Sequence, residues 1–253
     1  GSSNNTFIGY EAGGGTWADA SSDYNVALGN YTLASALNGA QSNTALGYGA
    51  AYGLTSADSC IAIGHNSMNV HTTGGSNIAI GHGAMDDTDA GSTSLGSTDN
   101  IFIGLNAGGG TWANAASSYN VGIGNNVMDS ALNASIQNVA IGHYALSSVT
   151  TSDQNVAIGA NSAYALTTGG SSVAVGSAAL QVHTTGARNI AIGANAMNDT
   201  DAGSTSLGSD DNIFIGYDAG GGTWADAAST YNIGIGNYAL DAALNGALRN
   251  IAI

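Results

Sequence analysis

Three copies of one insert carry the only tryptophans of the 253-residue chain. Residues 12–17, 107–112 and 219–224 each read Ala-Gly-Gly-Gly-Thr-Trp, ending at Trp17, Trp112 and Trp224. Each leads to a tyrosine: Tyr24, Tyr119 or Tyr231. An indole on a loop can stack on a sugar or receptor, so the three tryptophans are ligand-contact candidates. The competing reading is a loop that folds back and buries its indole, because tryptophan is largely buried on average.

A second group is acidic. Asp86, Asp87 and Asp89 lead to Asp99, and Asp199 and Asp201 lead to Asp210 and Asp211. Clustered carboxylates with hydroxyls and carbonyls suit Ca²⁺, which takes six to eight oxygens. The same residues also serve solvated turns, where Asp bonds nearby backbone N–H groups. No EF-hand spacing is present, so no cofactor is assigned and Ca²⁺ stays the candidate ion for these carboxylates. His65, His82 and His143 follow a recurring glycine, and His71 and His183 occupy equivalent turns before Thr-Thr-Gly. Side chains on adjacent repeats, such as His65 and His82, are expected to be neighbours on a polar surface. Cys60 has no cationic neighbour in sequence to activate a thiolate, so it reads as a buried small residue. No nucleophile elbow, phosphate loop or paired-Glu motif occurs.

Composition narrows the function further. The chain has 2 Arg and no Lys against 17 acids, a net charge of −15. Phosphate must be met by Lys or Arg, which argues against nucleic-acid binding. An anionic membrane surface is disfavoured for the same reason. Glycine numbers 39, proline is absent and one cysteine excludes an intrachain disulfide framework. No run of 18 apolar residues is present, so nothing in this segment inserts as a membrane-spanning helix. Hydrophobic residues still make up 43%, enough to fill a core.

The elements that must position these groups are repeats. Asn, Ile or Val, a small residue, Ile or Leu, and Gly recur with Gly at 9, 29, 47, 64, 81, 104, 124, 142, 159, 176, 193, 216 and 236. A fourteenth copy begins at Asn250. The intervals run from 17 to 23 residues and group into long periods of 95 and 112 residues. The whole chain, 1–253, therefore reads as one repeat array with super-repeats 1–95, 96–207 and a partial 208–253. The pattern starts and stops mid-unit, and the expectation is a piece of a longer fibre.

Apolar, small, apolar is the alternation of a strand, and β-branched residues favour it. A strand this short every 17–23 residues predicts an all-β, parallel β-solenoid or β-roll of about 14 rungs. At about 4.8 Å per rung the array would span about 60 Å. Asn at a fixed position predicts a stacked amide ladder through Asn25, Asn43, Asn77, Asn100, Asn120, Asn138, Asn155, Asn189, Asn212 and Asn232. Phe7, Phe102 and Phe214 replace the small residue, and the next rung carries Ala27, Gly122 and Gly234 there. A ring followed by a vacancy predicts in-register stacking. Ile, Val and Leu are expected to fill the coil interior, leaving Ala and Gly as a smooth outer face for a second chain. After the second rung of each period, apolar residues four apart predict a second short strand or one to two helical turns.

The phrase N-[IV]-A-[IL]-G-x-x-A-[LM] resembles the head repeat of YadA-type trimeric autotransporter adhesins, and is similar to repeats of phage tail fibres. The resemblance covers the whole chain, although the adhesin repeat is shorter. It implies a left-handed parallel β-roll packed as a homotrimer, in which three copies of one histidine could gather around an axis. With it, the expected function is a structural component of an extracellular, cell-surface or virion-surface fibre, serving as rigid stalk and adhesin rather than enzyme. Expected partners are further copies of itself, as a homotrimer or end-to-end filament, with surface glycans or a host receptor. The alternative is a tailspike-like polysaccharide-degrading enzyme using paired acids such as Asp19 or Asp226 near the Trp loops.

Overall fold

The computed structural model describes residues 1–17, 20–88, 96–112, 115–200, 208–224 and 227–253. The chain divides into two compact units, Gly1–Ala134 and Ser135–Ile253. Each is a parallel β-solenoid whose strands sit on the recurring phrase. The first contains β1 (Thr6–Ile8), β2 (Val26–Leu28), β3 (Thr44–Leu46), β4 (Ile61–Ile63), β5 (Ile78–Ile80), β6 (Ile101–Ile103) and β7 (Val121–Ile123). The second contains β8 (Val139–Ile141), β9 (Val156–Ile158), β10 (Val173–Val175), β11 (Ile190–Ile192), β12 (Ile213–Ile215), β13 (Ile233–Ile235) and β14 (Ile251–Ala252). No helix occurs among the described residues.

Within each unit every strand pairs in parallel with the next, without slippage. Val26 lies opposite Thr44 and Thr44 opposite Ile61 in the first unit. Val156 lies opposite Val173 and Val173 opposite Ile190 in the second. The rung glycine explains why each strand ends where it does. Gly64 has φ +132°, and a Cβ there would sit 2.4 Å from the carbonyl oxygen of Gly81 on the next coil. Only glycine combines that backbone angle with that approach.

The register is held from inside by amides. The Asn43 side chain donates to Asn25 Oδ1 at 2.9 Å and to the Ala57 carbonyl at 2.8 Å, while its backbone N–H donates to the same Asn25 oxygen at 3.0 Å. The same bonds link Asn77 to Asn100 and Asn100 to Asn120. In the second unit they link Asn138 to Asn155, and Asn189 through Asn212 and Asn232 to Asn250. Buried polar groups are stable only when hydrogen-bonded. A one-residue slip would turn every one of these amides outward. Asn5 begins the ladder by accepting from Asn25, and Cys60 and Ser172 occupy the ladder position in the remaining coils, where each takes the preceding Asn oxygen with its backbone N–H.

The interior is the reverse of the sequence expectation. The small residue at the middle of each strand points inward: Ala27, Ala45, Ala62 and Ala79 are buried, as are Ala140, Ala157, Ala174 and Ala191. The flanking Ile and Val point outward and keep substantial exposure, 59% at Ile8, 38% at Ile123 and 39% at Ile158. Coils this short enclose too little space for two β-branched side chains per strand, and overpacking a close-packed interior is costly. Larger interior side chains come instead from the turns, among them Leu33, Leu54, Met68, Met128, Leu146 and Leu180.

Those turns replace the second strand and the helical turns expected from the four-residue spacing. Leu33 and Met128, two residues of that spacing, have positive φ of 45° and 46°. Such angles break both α-helix and strand geometry. The turn backbones still bond from coil to coil, as in Gly53 N–H to the Asn69 carbonyl at 2.8 Å.

Candidate functional site

The Ala-Gly-Gly-Gly-Thr-Trp inserts turn inward. Trp112 and Trp224 are fully buried, and Trp17 is half-buried. Trp112 packs edge-on against Phe102 at 5.9 Å between ring centres, Trp224 against Phe214 at 5.6 Å, and Trp17 against Phe7 at 5.5 Å. The glycines follow from the phenylalanine. A Cβ on Gly108 would meet the Phe102 ring at 2.9 Å, and one on Gly110 would meet the Ser130 backbone at 2.3 Å. Buried rings have no face for a ligand, so Trp112 and Trp224 serve the core. The signal for this was the occurrence of Phe and the triple glycine in the same units.

The acidic loops are engaged locally. Asp87 accepts a hydrogen bond from the Thr111 hydroxyl, and Asp199 accepts one from Thr223. Asp211 is clasped by Arg188 through two nitrogens at 2.7 and 2.9 Å, which holds its carboxyl below the usual range. Burial, and then the neighbouring Asp87, raise the Asp86 carboxyl; burial, and then Asp86, raise that of Asp129. Among the described residues, no group of three His, Cys, Asp or Glu side chains is placed to hold a metal ion. Asp89 and Asp201, and the paired-acid candidates Asp19 and Asp226, lie outside the described residues.

The histidines split into two classes. His71 and His183 are buried inside the coils, where Nδ1 meets the Thr88 hydroxyl at 2.8 Å and the Thr200 hydroxyl at 2.9 Å. His65 and His82 are exposed and stack face to face, 5.0 Å apart and inclined by 4°. They continue a ladder of rings. Tyr10 meets Tyr31 at 5.4 Å, Tyr31 meets Tyr48 at 5.5 Å, and Tyr48 stacks on His65 at 5.2 Å. Five successive coils thus present aromatic rings just beyond their rung glycines. The Glu11 carboxylate beside Tyr10 holds that phenol above its ordinary value.

Beside this ladder lies a hollow of about 340 Å³ lined by Tyr31, Tyr48, Gly49, Tyr52, Asn66 and Asn69. Its origin is a missing side chain. Gly49 stands two residues after its rung glycine, where neighbouring coils carry Tyr31 and Asn66. The Asn69 amide donates to the Gly49 carbonyl at 3.3 Å, fixing one wall. Only the Tyr10–Tyr31 pair recurs in the sequence, as Tyr217 and Tyr238, and the ladder switches position between Tyr10 and Tyr31, so the row as a whole carries no repeat signature.

The fold defines a tandem-repeat parallel β-solenoid. No known protein family, curated protein or solved structure matches the chain.

Proposed function

We propose that the chain is a structural component of an extracellular or virion-surface fibre that serves as rigid stalk and adhesin, with left-handed coils packed as a homotrimer. One observation carries this reading. Each unit exposes two columns of Ile, Val and Leu along its stacked strands, from Val26 and Leu28 to Ile123, and from Ile141 to Ile235. Contiguous apolar surface of this kind marks an interaction face. In-register stacking lines up outward Ile, Val and Leu from rung to rung, interrupted in the first unit by Thr6 and Thr44, so the face suits another copy of the same chain. Rung-to-rung amide ladders give the rigidity a stalk needs.

Light scattering on the purified chain tests the association. The expected mass is three times 24.8 kDa. Ile63→Asp together with Ile80→Asp, both on half-buried outward positions, is expected to dissociate the trimer while leaving the circular dichroism spectrum unchanged. A wild-type monomer at micromolar concentration would overturn the reading.

A further inference from the structure

We infer that the Tyr31–Tyr48 hollow is a binding site for a neutral glycan, lying along the ring ladder of the first unit. The inference extends the adhesin reading by giving it a ligand class and a place. Sites for small ligands are concave, mostly aromatic or apolar, and carry a few placed polar groups. Here Tyr31, Tyr48 and Tyr52 supply ring surface, and the amides of Asn66 and Asn69 supply donors and acceptors for hydroxyls. Tyrosine joins an apolar body to a polar tip, which matches a pyranose with its apolar face and equatorial hydroxyls.

The ladder gives the site direction. Ring centres repeat every 5.0–5.5 Å from Tyr10 to His82, comparable to the rise of one sugar in an extended glycan. From Tyr48 to His82 the ring faces are taken up by one another, so a chain of sugars can run along the outward ring edges while one unit settles into the hollow. In the second unit the Tyr217–Tyr238 pair repeats the Tyr10–Tyr31 contact, at 5.4 Å. The positions after the rung glycines preceding it are Ala160, Ser177 and Ala194, so the row is broken there, and His143, Tyr144 and Tyr164 form a separate short group of rings.

Charge selects among ligands that stack. Nucleobases also stack on tyrosine, but their phosphates need cations, and both arginines of the chain lie outside this unit. Anionic glycans are disfavoured for the same reason. No residue lining the hollow is charged, so it has no partner for a cationic sugar.

The test uses the full chain and neutral gluco-, manno- and galacto-configured hexasaccharides, followed by calorimetry and by tyrosine resonances in NMR. Saturable binding of at least one hexasaccharide is expected, with Kd of about 10⁻³ M or tighter. Tyr48→Ala should weaken it about tenfold or more, the scale of a lost aromatic anchor. Gly49→Asn should do the same by filling the hollow. The backbone at that position tolerates asparagine, since Asn66 and Asn126 occupy it on other coils with φ of 55° and 52°, and the Asn66 side-chain oxygen, 2.5 Å from where the new Cβ would stand, must swing aside. Tyr119→Ala, an exposed ring away from the ladder, should leave binding unchanged. Absence of binding by a folded chain, or binding indifferent to both Tyr48→Ala and Gly49→Asn, would overturn the inference. Oligomeric mass is measured independently of sugar, so failure of this site and failure of the fibre reading are separable.

Discussion

The Phe102 ring occupies the space that Gly122 leaves empty on the next coil. The two residues are paired across β6 and β7, and a Cβ on Gly122 would stand 2.5 Å from the ring. Phe214 and Gly234 repeat the relationship in the second unit, at 2.7 Å. Gly122→Ala is therefore expected to destabilise the chain by about 1–3 kcal/mol through overpacking. The double variant Gly122→Ala with Phe102→Ala should lose less stability than the sum of its parts, because the alanine methyl then enters vacated space. Urea denaturation of the four proteins measures the coupling, and strict additivity would show that ring and vacancy are independent.

Cys60 tests the amide ladder at its one sulfur rung. Its thiol is pushed from 9.0 up to about 11, first by burial, with hydrogen bonds from Asn77 acting against that shift. A folded value above the unfolded one means that the contribution to stability is complete below pH 9. It is lost as pH rises through about 11. At pH 8 the folded chain should resist iodoacetamide, whereas the denatured chain reacts at once, since the thiolate is the nucleophile. Cys60→Asn restores the residue found at this position on neighbouring coils and should raise stability by about 1 kcal/mol. Mass spectrometry after timed alkylation and thermal melts of the variant supply the two readouts.

Periodicity made the strands legible because a β-solenoid repeats its local conformation at every rung. Asn189 and Gly193 bracket their strand as plainly in the sequence as in the fold. What periodicity left open was which side of each strand is inside. The alternation Ile-Ala-Ile is identical for either choice, and only coil width decides that Ala79 is buried while Ile78 and Ile80 reach the surface. The Tyr31–Tyr48 hollow was less legible still. It arises from a single missing side chain at Gly49 and from rings at two different offsets, of which only the Tyr10–Tyr31 pair recurs, as Tyr217–Tyr238. The tryptophans repeat perfectly, and that regularity reflects packing against Phe7, Phe102 and Phe214.

Tryptophan fluorescence should report this division directly. Trp112 and Trp224 have no exposed surface, while Trp17 is only half-buried. Acrylamide should therefore quench one fraction of the native emission readily and leave the larger fraction shielded. Trp17→Phe should remove most of the quenchable part and keep the ring contact with Phe7. Trp112→Ala should instead cost about 3–5 kcal/mol, the range for a large buried ring. Uniform quenching of all three residues would contradict the inward turn of the inserts.

Asp86 and Asp129 supply a pH dependence whose sign follows from their surroundings. Both carboxyls are raised, by burial first; Asp87 adds to the shift at Asp86, and Asp86 to that at Asp129. A raised folded value favours the protonated form, so the contribution to stability is complete below the ordinary carboxyl value near 3.8 and is lost as pH rises through the raised one. At neutral pH the two carboxylates are charged and repel each other across an intervening coil that carries Gly109 at the equivalent position. Asp129→Asn removes one charge without changing the shape of the side chain. Because the group is partly solvated, the gain at pH 7 should be small, a Tm rise of about 1–2 °C. The rise should vanish near pH 3, where wild-type and variant side chains are both neutral. Melts of the two proteins across this range decide the matter: a gain that persists at pH 3 would trace to packing, and a loss at pH 7 would mean that the Asp129 carboxylate is stabilised by a partner rather than repelled.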